Sequence, residues 1–203
     1  MKSLDISMPG YRLNDYLLVI TPNDDLRNRI ASVRKEFNDK YQPSMPLTGR
    51  PHMALAHFVT YSMMEEKIVN RFHHIAMGMT PFKIELKDFG SFPTHTIYIN
   101  VATKVPVQNL VRELKTAQKL MKADPEHDPH FIAEPFIAVA RKLLPWQYEK
   151  GWLEYSHTHF TARIVADSML LLKRPVGEKG YQVVQRFEFQ NMPVSTRQGE
   201  LFF

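Results

Sequence analysis

The feature that most narrows what this chain can fold into is a segment that occurs twice. Pro51-His52-Met53-Ala54-Leu55-Ala56 is matched by Pro135-Phe136-Ile137-Ala138-Val139-Ala140, every position displaced by 84 residues in a chain of 203. Each copy is short, apolar and opened by proline, which is how a buried strand reads. A displacement close to half the chain length is what an internal duplication produces, so each copy is expected at the same place in its own half.

The surrounding pattern repeats as well. Asp15 to Ile20 reads as a strand, and Thr21-Pro22-Asn23-Asp24 supplies a helix start, with threonine as the cap and proline at the first helical position. Leu26, Ile30, Val33 and Phe37 then mark one helical face. After a proline-rich loop over 43–51 comes the first copy of the repeated strand. Ser62 and Glu65 then form a capping box for a helix whose face is Ile68, Phe72, Ile75 and Met79. Phe82, Ile84 and Leu86 alternate with charged residues, the period of a strand with one wet face. The second half follows the same plan. It has a strand at Thr96–Val101, a helix from Pro106 with Leu110, Leu114, Ala117 and Met121 inward, the second repeated strand, and a short helix over Pro145–Tyr155. The closing strands are read as Phe160 to Lys173 and Tyr181 to Phe189, joined by a hairpin turn at Gly177-Glu178-Lys179-Gly180. No low-complexity linker divides the halves, so they are expected as lobes of one unit, over about 12–92 and 93–190, with a cleft between them.

Composition removes several classes of protein. With 44% hydrophobic residues the chain can bury a substantial core, so disorder is a poor reading. There is no cysteine, which rules out disulfides and thiolate metal sites and suits a reducing, cytoplasmic setting. The opening residues, Met1 to Leu13, lack the apolar stretch of a secretory leader, and no apolar run is long enough to cross a membrane. The net charge of +5 favours anionic partners weakly, because lysine and arginine are mixed with acids along most of the chain.

With its paired strands in view, the sequence resembles the two-histidine phosphoesterases, and within them the bacterial 2'-5' RNA ligase-like proteins. Each half of such a protein carries His-x-Thr/Ser on a strand, commonly after proline. The resemblance extends to Asp88-Phe89-Gly90-Ser91-Phe92-Pro93 before the strand Ile97-Tyr98-Ile99-Asn100-Val101, to the helix with Trp152, and to Phe160 through Lys173. It implies a bilobal, duplicated α+β fold, with two antiparallel sheets around a central cleft and helices outside. It also implies cyclic phosphodiesterase or 2'-5' ligase chemistry without metal or other cofactor. On a strand, residues two apart point the same way, so each histidine and its hydroxyl partner line the cleft together. One imidazole serves as general base and the other as general acid, while the hydroxyls hold the phosphate oxygens.

This chain departs from the pattern at three of four positions: His52 remains, but Ala54, Phe136 and Ala138 replace the first hydroxyl residue, the second histidine and the second hydroxyl residue. Phenylalanine transfers no proton, and losing a general acid or base costs about 10²- to 10⁴-fold. The expectation is a cleft that binds an RNA end, a cyclic phosphate or a nucleotide with little turnover, lined by His52, Ala54, Phe136 and Ala138, with Arg50 and Arg141 as anion contacts. The competing expectations are an active enzyme in which His130, His157 or His159 replaces the lost histidine, and a protein-interaction scaffold whose cleft is filled by Phe136 and its neighbours. His159-Phe160-Thr161-Ala162 matches the motif by letter, but after the Trp152 helix and not on the repeated strand. No H-E-x-x-H or glycine-rich phosphate loop is present, so neither zinc nor a nucleotide cofactor is expected.

Overall fold

The computed structural model describes residues 9–192, so the opening residues read above for a leader lie largely outside the described part. The chain is a bilobal α+β structure with two antiparallel sheets. Its strands are β1 (Leu13–Ile20), β2 (Met53–Tyr61), β3 (Phe82–Phe92), β4 (Thr96–Val101), β5 (His130–Phe131), β6 (Phe136–Ala140), β7 (Thr161–Ala166), β8 (Ser168–Pro175) and β9 (Gln182–Glu188). Its helices are α1 (Asp24–Tyr41), α2 (Glu65–Gly78), α3 (Val105–Lys115), α4 (Gln118–Met121) and α5 (Pro145–Tyr155).

One sheet runs β5-β2-β1-β8-β9 and the other β6-β4-β3-β7. Apart from the two-residue β5, the two orders are the same arrangement: the repeated strand at one side, then the first strand of its half, then two more. β2 and β6 are therefore structurally equivalent. Each also carries a bulge at the same place. On β2, Ala54 pairs with Val19 and Ala56 with Leu18, skipping Leu55; on β6, Ala138 pairs with Tyr98 and Ala140 with Ile97, skipping Val139. A bulge inserts one unpaired residue and reverses the alternation beyond it. Its recurrence at positions 84 apart extends the duplication seen in the sequence to backbone detail.

The helices cover one face of each sheet. α1 and α5 lie on the β6-β4-β3-β7 sheet, where Phe37 packs on Tyr155 and Gly151, and Phe89 on Tyr155. α2 lies on the other sheet, with Phe72 against Phe58 and Phe187. The crossover helices exchange sides: α1, which joins β1 to β2, packs on β6, while α3 and α4, which lie between β4 and β6, pack on β2. The faces without helices line the central cleft.

Several local expectations change. Asn23, not Thr21, caps α1, its side chain accepting from Leu26 N. Ser62 caps nothing: it donates to the Arg12 carbonyl and accepts from Asn14, and the Glu65 carboxylate is taken by Tyr16 and Lys173. Tertiary partners override the local cap. The helix from Pro106 stops at Lys115, where Thr116 turns its hydroxyl onto the Glu113 carbonyl; of its last apolar residues, Ala117 is the N-cap of α4 and Met121 falls within it. The strand expected from Phe160 to Lys173 is two strands in different sheets, parted at Asp167. In consequence the lobes expected at 12–92 and 93–190 trade their ends: β3 belongs to the second sheet, and β5, β8 and β9 to the first.

Candidate functional site

His52 stands just before β2, half-buried, with Nδ1 2.9 Å from the carbonyl oxygen of Arg50. A carbonyl only accepts, so this contact places the ring proton on Nδ1 and leaves Nε2 with a free lone pair. Burial, opposed by that carbonyl and reinforced by the charges of Arg34 and Arg141, holds the His52 pKa below the usual imidazole value. The ring is thus neutral at pH 7 and faces a cationic surrounding.

Arg34 was not among the residues expected in the site. It lies on α1 and is only 5% exposed. Its Nε donates to the Ala138 carbonyl (2.9 Å) and its Nη1 to the Gly49 carbonyl (2.8 Å). The guanidinium therefore ties the loop before His52 to the second repeated strand. It forms no ion pair with a carboxylate among the described residues. Burial, together with the nearby charge of Arg141, lowers its pKa to about 10. Arg141, one residue beyond β6, lies over the Phe136 ring with its guanidinium carbon 5.4 Å from the centroid. Solvent still reaches Arg141, yet partial loss of hydration lowers its pKa too, and it also has no carboxylate partner among the described residues.

Phe136 occupies the β6 position equivalent to His52. It is half-buried, not enclosed, which weakens the filled-cleft expectation. Its ring meets Tyr98 at 5.0 Å and Phe92 at 5.2 Å. Ala138 is buried in register with Tyr98, and Ala54 is half-buried. Arg50 contributes its carbonyl; its side chain is exposed.

The bulge brings in a further residue. With Leu55 skipped, His57 returns to the face of Ala54, in register with Leu17. His57 is the repeat counterpart of Arg141, 84 residues earlier. Its Nε2 lies 2.6 Å from Oδ1 of the buried Asp15, although the ring N–H is too far off line for a hydrogen bond. Asp15 Oδ2 accepts from Arg174 Nε and Nη2 (2.8 and 2.6 Å), and Arg174 in turn covers Tyr181. His130, exposed on β5, pairs opposite His57 and not His52. His157 sits beyond the end of α5. His159 is bound to Asp88 at the far side of the second sheet, with β4 and β3 between it and β6. Neither occupies the position equivalent to His52. Among the described residues no three His, Cys, Asp or Glu side chains converge as a metal site, and no helix is long and apolar enough to cross a membrane.

Comparison with solved structures gives the same architecture. The chain is similar to E. coli LigT complexed with 3'-AMP (14% identity, TM-score 0.62, covering 88% of this chain and 98% of that one). It is also similar to E. coli LigT complexed with phosphate (12% identity, TM-score 0.62, 88% and 98%). TT0787 of Thermus thermophilus aligns equally well (14% identity, TM-score 0.61, 87% and 98%). At these identities the likeness is one of fold. No curated protein matches by sequence. The sequence matches the 2'-5' RNA ligase superfamily over residues 22–178, most of its length, and by this match and the duplicated two-sheet fold the chain belongs to that superfamily.

Proposed function

We propose that the cleft binds an RNA end, a cyclic phosphate or a nucleotide through Arg34, Arg141 and the neutral His52, and turns it over with little efficiency. The observation that carries this reading is the pair of guanidinia. A charge as buried as Arg34 is costly unless it is compensated. A second cation close enough to lower its pKa makes the cost greater. Two carbonyls satisfy part of the Arg34 fork but supply no counter-charge. A phosphate supplies it, in the geometry that guanidinium favours. Against efficient turnover stand Phe136, Ala54 and Ala138, which offer neither proton nor hydroxyl at three of the four motif positions.

Calorimetry with inorganic phosphate and a 2',3'-cyclic nucleotide tests the binding, and chromatographic assay of the same cyclic nucleotide tests the turnover. Affinity that declines with salt, with hydrolysis near the uncatalysed rate, is the expected result. Brisk hydrolysis abolished by His52→Ala would show an active enzyme, and His130→Ala would then be the first partner to examine.

A further inference from the structure

The cleft face of the second sheet carries a set of aromatic side chains that the anion site does not use. Gly90, Phe92, Tyr98 and Phe136 share that face. Gly90 is paired in register with Tyr98, Phe92 stands two residues from Gly90, and Phe136 pairs with Asn100, two residues from Tyr98. The Tyr98 ring lies against Phe92 (centroids 4.8 Å apart) and Phe136 (5.0 Å), and Phe92 meets Phe136 at 5.2 Å.

The floor is built for its rings. A Cβ added at Gly90 would stand 2.5 Å from Cε2 and 2.7 Å from Cζ of Tyr98, closer than real Cβ atoms approach anything. Glycine here is thus what lets the outer end of the Tyr98 ring cross the backbone of β3. Phe92 is 36% exposed, and Phe136 and Tyr98 are half-buried, so part of each remains open.

We propose that Phe92, Tyr98 and Phe136 form a stacking floor for the base of a nucleotide whose phosphate is held by Arg141 and Arg34. The proposal rests on the anion site described above and adds the recognition of the base to it. Arg141 joins the two, because the guanidinium that lies over Phe136 is one without a counter-ion among the described residues. The three rings are tilted to one another, by 40° and 44° about Tyr98 and by 79° between Phe92 and Phe136, so a base meets the face of one and the edges of its neighbours. An aromatic patch joined directly to uncompensated positive charge fits a ligand that is itself a flat ring joined to an anion. Aromatic rings stack on any base and arginine planes stack as well, so such a floor selects nucleotides over other phosphates without reading one base. Phenylalanine at position 136 then has a use where the second motif histidine is missing: the position has passed from proton transfer to base contact.

The test compares inorganic phosphate, ribose 5-phosphate, adenosine and the 3'- and 5'-monophosphates of adenosine by calorimetry, on the protein and on Phe92→Ala and Gly90→Ala. Stacking on aromatic side chains is worth about fivefold to 150-fold in affinity per base. One or both nucleotides are expected to bind tighter than ribose 5-phosphate by a factor in that range. Phe92→Ala removes most of this advantage and leaves the affinity for inorganic phosphate unchanged. Gly90→Ala does the same by displacing the Tyr98 ring; if it fails to fold, Phe92→Ala, at a partly exposed position, still decides. Nucleotides that bind no tighter than ribose 5-phosphate overturn the floor, as does a Phe92→Ala variant that loses all ligands in equal proportion. If phosphate does not bind but adenosine binds in a Phe92-dependent way, the anion site falls and the floor stands. Binding by neither overturns both.

Discussion

Replacing Arg34 by methionine separates a residue kept for its charge from one kept for its packing. Methionine is unbranched and apolar and replaces the aliphatic stem, so most of the volume beside β6 stays filled. Two hydrogen bonds from a charged donor to the Ala138 and Gly49 carbonyls are lost. At about 1.5–3 kcal/mol each, they amount to roughly 3–6 kcal/mol. The opposing effect is removal of a buried cation that the fold disfavours. Burial and the charge of Arg141 lower its pKa to about 10, and with about 1.4 kcal/mol for each pKa unit, removing the charge restores roughly 3 kcal/mol. The two effects largely offset, so the ligand-free variant is expected to lose no more than about 3 kcal/mol. The loss with ligand is larger. A protein saturated at about a hundred times its Kd gains about 2.7 kcal/mol from the ligand, and the variant forgoes most of that. Urea unfolding with and without saturating phosphate reads both quantities in one series. A variant that keeps the phosphate-dependent gain of the parent would refute the reasoning and leave Arg34 as a structural staple between α1 and the two repeated strands.

Three other outcomes are expected. The C2 proton of His52 titrates with a midpoint below 6.5, since burial and then the two arginines depress it. The stability this ring confers is therefore whole above the unfolded-state pKa and shrinks as pH falls below it, and added phosphate moves the midpoint up; a midpoint above 6.5 in NMR titration would contradict the described surroundings. The triple substitution Phe136→His, Ala54→Thr and Ala138→Thr raises cyclic nucleotide hydrolysis about 10²-fold or more, and a folded triple variant with the parent's rate would count against an intact catalytic geometry. Gly151→Ala brings a Cβ within 2.8 Å of the fully buried Phe37 ring and 3.2 Å of Ile97, so it destabilises by about 1–3 kcal/mol; an unchanged melting temperature would show that this contact relaxes freely.

Most of the architecture was legible because periodicity reports burial. The duplicated strands, the amphipathic helices α1, α2 and α5 and the Gly177–Gly180 hairpin stand where periodicity and turn residues put them, and among the helices only the one from Pro106 is broken in two. What could not be read depends on partners remote in the chain. Nothing in Ile164-Val165-Ala166-Asp167-Ser168-Met169 signals a change of sheet, because both strands are apolar and the break at Asp167 uses neither glycine nor proline. The bulges are equally silent, since Leu55 and Val139 are ordinary strand residues. That silence hid a residue of the site: strict alternation from His52 selects Ala56, whereas the bulge selects His57. Continuing the repeat one position further, to pair His57 with Arg141, would have found it. Arg34 hid differently. It lies four residues after Ile30 and eight after Leu26, on the inward face, but its charge invited the choice of Val33, which is only half-buried.

The exchange of crossover helices between the sheets bears on how the chain folds in time. α1 shields β6, which is made more than ninety residues after it, and β2 waits for α3 and α4. Neither half can close its apolar layer from its own residues, so a nascent first half has no finished core to rest in. Contacts of such long sequence separation form slowly, because loop closure precedes its reward. The two lobes are therefore expected to unfold in a single transition. Residues 9–92 made alone are expected to collapse with Leu55 and its neighbours uncovered, and to recover a native spectrum only when the remaining residues are supplied.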